Sequence, residues 1–409
     1  MTLALRRGAR GAAPPSGARA PHAPPSPGSR MNTPDSRALA ALPSALPPRP
    51  ARAVCDLSPY EATSSRDVID ARPAQVPLKL DWNESTLPPS PRALEAIEAY
   101  LRRAHHLNWY PLLHSPGLVG ALSALHGLPP ECFLVTNGSD DALHAICATY
   151  LNPGERVVYA APTYQHFLVF AQQEGALLSP HVSADVFAAD PDGLIAALSA
   201  APARLCYLVS PNNPTGLVYS AEQIARVLAA CPETLLIVDE AYAEFSGESC
   251  LELLYRYSNL IVTRTFSKAY GLAACRVGYV MAHPAAIADL RRVFNPKSVN
   301  ALGQLAAEAA LRDQEYLRWV VAQVAAGQRV AVEGLSALGL RVRPSRANFF
   351  LVEVPAPGAW VAALAEEGVY VRNRSHLPGL AGCVRVTVGS PEQMRELVAR
   401  AARVGARLR

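Results

Sequence analysis

Lysine is almost missing from this chain. Only Lys79, Lys268 and Lys297 occur among 409 residues, so 35 of the 38 lysines and arginines are arginine. A protein that meets its need for positive charge with arginine leaves each lysine to be explained. Of the two, only lysine readily loses its proton and attacks a carbonyl. Long apolar runs are also missing. None approaches the roughly 20 residues that cross a bilayer, which argues against a membrane protein. The eight cysteines (55, 132, 147, 206, 231, 250, 275, 383) form no CxxC pair, and the histidines lack ligand spacing. This argues against a metal site and suggests reduced thiols in a cytoplasmic protein. A basic groove is absent too. Residues 1–52 hold eight arginines, one aspartate and no lysine or glutamate, so the net charge of +4 divides into +7 there and −3 in the rest. The mildly acidic body argues against a nucleic-acid partner on electrostatic grounds.

What is present reads as globular. Half the residues are hydrophobic and 18% are charged, in a chain long enough for two domains. Residues 1–52 also hold 11 of the 36 prolines, in runs such as GAAPPSGARAPHAPPSPGSR. They are expected to be a disordered tail, or an extension upstream of a start at Met31. Richness in arginine also fits a transit peptide, but dense proline opposes an amphipathic targeting helix. The ordered chain is expected to begin near Cys55. Residues 53–95 then form an arm, 96–299 a large domain and 300–409 a small one.

From about residue 130 short apolar runs alternate with helical periodicity. CFLVTNG, RVVYAAPT, LCYLVSPNNPTG, TLLIVDEAY, NLIVTRTFSK and VGYVMAHP read as strands. SDDALHAICATYL, YQHFLVFAQQEG and SAEQIARVLAAC read as helices, the last capped by Ser220. Nearly continuous apolar strands separated by helices predict an α/β fold, its mostly parallel sheet covered on both faces. Ligands of such sheets sit at the carboxyl ends of the strands, where Ser139, Asn213, Asp239, Tyr242, Thr265 and Lys268 gather. Beyond Asn300 one helix is expected over about 300–338. NFFLVEV, GVYVRNR and CVRVTVGS follow as strands, with helices near 357–367 and 391–406.

Individually the polar motifs are ordinary. SPNNPTG is a turn, VDEAY a strand end, SKAYGL a helix start, and the arginine of CRVGY fits any ion pair. Together they are specific. Asn213, Asp239, Lys268 and Arg276 follow one another at intervals of 26, 29 and 8 residues, all at or near predicted strand ends. A ligand touching them all would offer an aldehyde to Lys268, a basic ring nitrogen to Asp239 and a phenolic oxygen to Asn213 and Tyr242. It would offer a phosphate to Thr265, Ser267 and Arg276. Pyridoxal 5′-phosphate carries those four groups.

The set SPNNPTG, DEAY and RTFSKAYGLAACRVGY resembles the fold-type I pyridoxal-phosphate aminotransferases over roughly residues 55–405. Within them it resembles the histidinol-phosphate aminotransferase branch. The resemblance implies a large domain built on a seven-stranded-type sheet, plus a small C-terminal α/β domain. It makes Lys268 the Schiff-base lysine and Asp239 the partner of the pyridine nitrogen, which keeps the ring an electron sink. Asn213 and Tyr242 then bond the ring hydroxyl, and Tyr164 stacks on the ring. Gly138, Ser139 and Asp140 open the helix whose N–H groups cradle the phosphate, completed by Thr265, Ser267 and Arg276. Tyr110 matches a tyrosine that reaches the partner subunit's phosphate, which implies a homodimer with shared sites.

On the substrate side, Arg385 matches the arginine that grips the α-carboxylate. Asn348 matches a supporting asparagine, and Asn83 is expected to contact the substrate. Tyr60 and Arg372 match groups at the distal, phosphate end. The chain departs from the branch at Lys297, where a tyrosine is usual, and at Asp141, where a glutamate is usual. Histidinol phosphate and a substrate with another anionic tail therefore both stay open, with 2-oxoglutarate the acceptor implied by resemblance. In the expected ping-pong cycle Lys268 acts as nucleophile and then as general base and acid, its pKa lowered by burial and nearby cations. The rivals are a specialised aminotransferase of a secondary pathway, a phospho-amino-acid decarboxylase on this scaffold, and a non-catalytic cofactor sensor.

Overall fold

The computed structural model describes residues 50–55, 57, 76–102 and 107–407. Nearly all of the expected tail, and Tyr60, lie outside them. Thirteen strands occur among the described residues: β1 (Leu78–Lys79), β2 (Phe133–Thr136), β3 (Arg156–Ala161), β4 (Leu177–Val182), β5 (Leu205–Val209), β6 (Leu235–Asp239), β7 (Leu260–Thr265), β8 (Gly278–Ala282), β9 (Arg341–Arg343), β10 (Phe349–Glu353), β11 (Val369–Tyr370), β12 (Arg372–Asn373) and β13 (Cys383–Thr387).

Seven of them form one sheet in the order β2-β8-β7-β6-β5-β3-β4. Strands β3 to β7 pair in parallel, and β8 runs against both its neighbours. The expected mostly parallel α/β sheet is therefore present. Strands β5 and β8 are buried along their whole length. Helices cover both faces, so these strands carry continuous rather than alternating apolar residues. Strand β4 was not read from the sequence. It contains Pro180, which an edge strand tolerates because one side of its ladder is unused.

Helix Ala221–Ala230 begins as expected at Ser220, whose hydroxyl accepts from Gln223 N while the Gln223 side chain accepts from Ser220 N. The single helix expected over 300–338 is instead two, Ala301–Arg312 and Gln314–Ala337. The break is Asp313, whose carboxylate accepts from Tyr316 N and caps the second helix. A short acidic side chain is better placed at a cap than inside a helix. The strand expected in GVYVRNR likewise divides at Val371. Its first half, β11, pairs in parallel with β1, and its second, β12, pairs with β13.

The remaining strands form an antiparallel sheet, β12-β13-β10-β9. Phe350, Val352, Val384, Val386 and Leu397 pack into a hydrophobic cluster of their own there, separate from the cluster around the larger sheet. Among the described residues no helix is long and apolar enough to cross a membrane.

Candidate active site

The carboxyl ends of β5, β6 and β7 lie side by side in the larger sheet, and each delivers a predicted site residue. Asp239 ends β6, Thr265 ends β7 with Lys268 three residues on, and Asn213 follows β5 by four residues. Asp239 is buried. Its carboxylate accepts from Tyr207 Oη at 2.9 Å and from Ala241 N at 3.1 Å. Burial raises its pKa to about 6, and those two hydrogen bonds hold it back from rising further.

Lys268 is partly buried and donates to the carbonyl of Trp82 at 3.0 Å. Burial lowers its pKa to about 8. The positive charge of Arg385 adds to this, and that of Arg276 to a lesser degree, while Glu84 and Asp140 act in the opposite sense.

Asn83 ties the strand ends of the large sheet to the small one. Its Nδ2 donates to Tyr242 Oη at 3.0 Å, and its carbonyl accepts from Asn348 Nδ2 at 2.9 Å. Its own N–H donates to Thr387 Oγ1 at 3.0 Å, and Thr387 Oγ1 donates back to Asn83 Oδ1 at 3.2 Å. Arg385, buried on β13, donates to Asn213 Oδ1 at 2.6 Å and to the carbonyl of Asp81, with its guanidinium 5.7 Å from the Phe349 ring. Six sequence-predicted residues thus share one hydrogen-bonded region: Asn83, Asn213, Tyr242, Asn348, Arg385 and, through the neighbouring carbonyl of Trp82, Lys268.

A second group surrounds the start of helix Ser139–Tyr150. Gly138 precedes it with φ 86°, and no side chain caps it. That φ is what calls for glycine, and a Cβ at Gly138 would come within 2.6 Å of Arg276 Nη2, so the guanidinium would have to shift. Asp140 accepts from Tyr164 Oη at 2.8 Å and from Arg276 Nη2 at 3.1 Å. Arg276 itself adopts φ 51°. Thr265 and Ser267 are both buried, and Ser267 N donates to Thr265 Oγ1 at 3.1 Å.

Two predicted residues, Tyr110 and Lys297, stand apart. Tyr110 is 82% exposed, and the exposed Lys297 lies with its amine 4.8 Å from the Tyr110 ring centre. Among the described residues neither hydrogen-bonds to the groups above. Arg372 is the cross-strand partner of Arg385 in the β12–β13 pair, so both side chains leave the same face of the sheet. Tyr60 is outside the described residues.

Sequence reasoning missed several groups. Tyr207 looks like one more apolar residue in LCYLV, yet it is the hydroxyl that holds Asp239. Thr387 anchors Asn83 from inside a strand. The carbonyls of Asp81 and Trp82 act through the backbone and leave no signature in the side-chain pattern.

Residues 76–400 match the family model described as aminotransferase class I and II. A dihydroxyacetone phosphate transaminase from Campylobacter jejuni is 36% identical over 322 residues, covering 78% of this chain and 87% of that protein. A histidinol-phosphate aminotransferase from Roseiflexus castenholzii is 35% identical over 350 residues, covering 83% and 94%. Among solved structures, the histidinol-phosphate aminotransferase from Sinorhizobium meliloti, in complex with pyridoxal-5′-phosphate, superposes with a TM-score of 0.81 at 28% identity. The match covers 90% of this chain and all of that one.

Proposed function

The chain belongs to the aminotransferase class I and II family and is a pyridoxal-phosphate-dependent transaminase; from that premise we propose that it moves an amino group between a small amine with an anionic tail, histidinol phosphate foremost, and 2-oxoglutarate. The observation that carries this reading is the pairing of Arg372 with Arg385 across β12 and β13. Two guanidiniums on one face suit a reaction whose substrates bring both a carboxylate and a second anion.

The residues present fit the cofactor. Gly138 leaves the helix start open beside Arg276, a donor set for a phosphate. The buried carboxylate of Asp239 suits a ring nitrogen, and Asn213 with Tyr242 suits a ring hydroxyl. Asn348 Oδ1 is buried with no hydrogen-bond partner among the described residues, leaving an acceptor for a ligand. When bound, the cofactor supplies an aldehyde that takes up the amino group and a ring that accepts the electron pair left by the departing α-proton.

Everything else falls to the chain. Lys268, near pKa 8, is neutral in a useful fraction near neutral pH, so its amine can attack and afterwards remove and return the α-proton. Asp239 would stabilise a protonated ring nitrogen, and Tyr164 would offer an aromatic face to the ring. Arg385 orients a carboxylate and Arg372 takes the tail anion. Gly138, Ser139, Asp140, Thr265, Ser267 and Arg276 are assigned to the phosphate. We further assign 53–95 to an arm, 96–299 to the cofactor-binding domain and 300–409 to the small domain of a cytoplasmic homodimer. Tyr110, with Lys297 and Tyr60, would complete a shared site.

A second reading has a specific support: the Campylobacter relative is named for dihydroxyacetone phosphate. Its amine counterpart, serinol phosphate, shares the phosphate tail but not the imidazole. An amine-donor screen with 2-oxoglutarate, followed by the cofactor's visible absorbance, decides between them. Efficient turnover of histidinol phosphate at low concentration supports the first reading. Preference for serinol phosphate overturns it in favour of the second.

A further inference from the structure

We propose that the Trp82 carbonyl is the acceptor of the free Lys268 amine, and that Asn83, through its left-handed backbone, is the positioning residue that aims it. The inference starts from one peptide unit. The bond between Trp82 and Asn83 presents its C=O on one side and its N–H on the other, as a planar trans peptide must. The carbonyl accepts from Lys268 at 3.0 Å, and the N–H donates to Thr387 Oγ1 at 3.0 Å. A single rigid plane therefore spans from the reactive amine to β13.

The orientation of that plane relative to the rest of Asn83 is its φ, which is 56°. Few residues other than glycine adopt this region, and asparagine is among the best tolerated. The other side of the φ bond is fixed independently. The anchor that any residue at this position keeps is the bond from Asn348 Nδ2 to its carbonyl; the Asn83 side-chain bonds to Tyr242 and Thr387 add to it. With both sides anchored, an extended or right-handed φ would rotate the Trp82 carbonyl away from Lys268.

The preceding peptide continues the connection, because the carbonyl of Asp81 accepts from Arg385. Arg385 and Thr387 sit two residues apart on β13 and hold successive peptides of the 81–83 segment. The strand that carries the carboxylate-gripping arginine is thus linked through two peptide planes to the lysine that must move a proton.

A carbonyl acceptor favours the ammonium form of its donor. The other charges facing Lys268 are Arg385 and Arg276, which oppose that form, and Glu84 and Asp140, which favour it. Losing the Trp82 carbonyl therefore makes Lys268 more acidic. The inference builds on Lys268 being the reactive amine of the proposed transamination, but it is tested on the unloaded full-length chain.

The test is competitive acetylation with acetic anhydride across a pH series, with the Lys268 peptide quantified by mass spectrometry. The unsubstituted chain should show a midpoint of about 8. Asn83→Gly, which keeps positive φ accessible but removes the side chain, should retain it. Asn83→Val, which disfavours that φ, should lower it by about one unit, the size expected for a lost hydrogen bond from a charged donor. Asn83→Ala serves if the valine variant does not fold. Thr387→Val, which removes the acceptor on the far side of the same peptide, should shift the midpoint in the same direction. A midpoint that stays put or rises in these variants overturns the proposal, as does an equal fall in Asn83→Gly, which would make the side chain responsible. Failure of transamination with the predicted midpoints intact would count against the proposed function and leave this inference standing.

Discussion

Lys268 combines two properties that arginine could not supply, a removable proton and a pKa brought down to about 8 by burial beside Arg385. Its substitution by alanine should reduce transamination by about 10³-fold, the scale of a lost acid–base group. Borohydride trapping should place the cofactor on Lys268, and finding it on Lys79 or Lys297 would contradict the assignment. The pH dependence has a definite sign. Only the neutral amine attacks, so the rate at which the unloaded chain captures pyridoxal phosphate should climb with pH and level off above about 8. A flat profile across that value would be inconsistent with this lysine as nucleophile. Gly138 makes a complementary prediction. Alanine there suffers both an unfavourable φ of 86° and a Cβ 2.6 Å from Arg276 Nη2, a strain on the order of 1–3 kcal/mol. Affinity for pyridoxal phosphate should fall about tenfold or more, whereas pyridoxal, which lacks the phosphate, should bind as before in equilibrium titration.

Secondary-structure elements hold these residues in place, and one close approach of backbone to backbone is at Gly327 in Gln314–Ala337. A Cβ there would run into the backbone oxygen of Gly389, just beyond β13. Backbone cannot yield as a side-chain tip can, so Gly327→Ala should cost about 1–3 kcal/mol and lower the thermal midpoint by a few degrees. The ends of β5, β6 and β7 were legible in the sequence because apolar runs stop abruptly at polar motifs with characteristic spacing. The break at Asp313 was not, since it interrupts an otherwise continuous helical pattern with a single capping residue. Strand β4 escaped notice because its proline argues against a strand everywhere but at an edge. The segment 81–83 was legible only as Asn83. Its other contributions are carbonyl oxygens, which every residue has, and only the folded register of β13 gives them partners.

At the scale of the whole molecule, the proposed dimer predicts complementation. Lys268→Ala and Tyr110→Ala chains, each impaired alone, should regain activity when refolded together, because a mixed dimer contains one site with both residues intact. Absence of recovery, with mixed dimers demonstrated by tagging, would place Tyr110 outside the partner's site. The bridge at Asn83 also bears on the order of folding. Asn83 and Thr387 are 304 residues apart in sequence, and closing so long a loop is slow compared with forming helices or pairing neighbouring strands. During refolding the far-ultraviolet signal of the larger sheet should therefore return before the ability to capture pyridoxal phosphate. The site would be among the last features to assemble, so a chain competent to take up the cofactor is one that has finished folding.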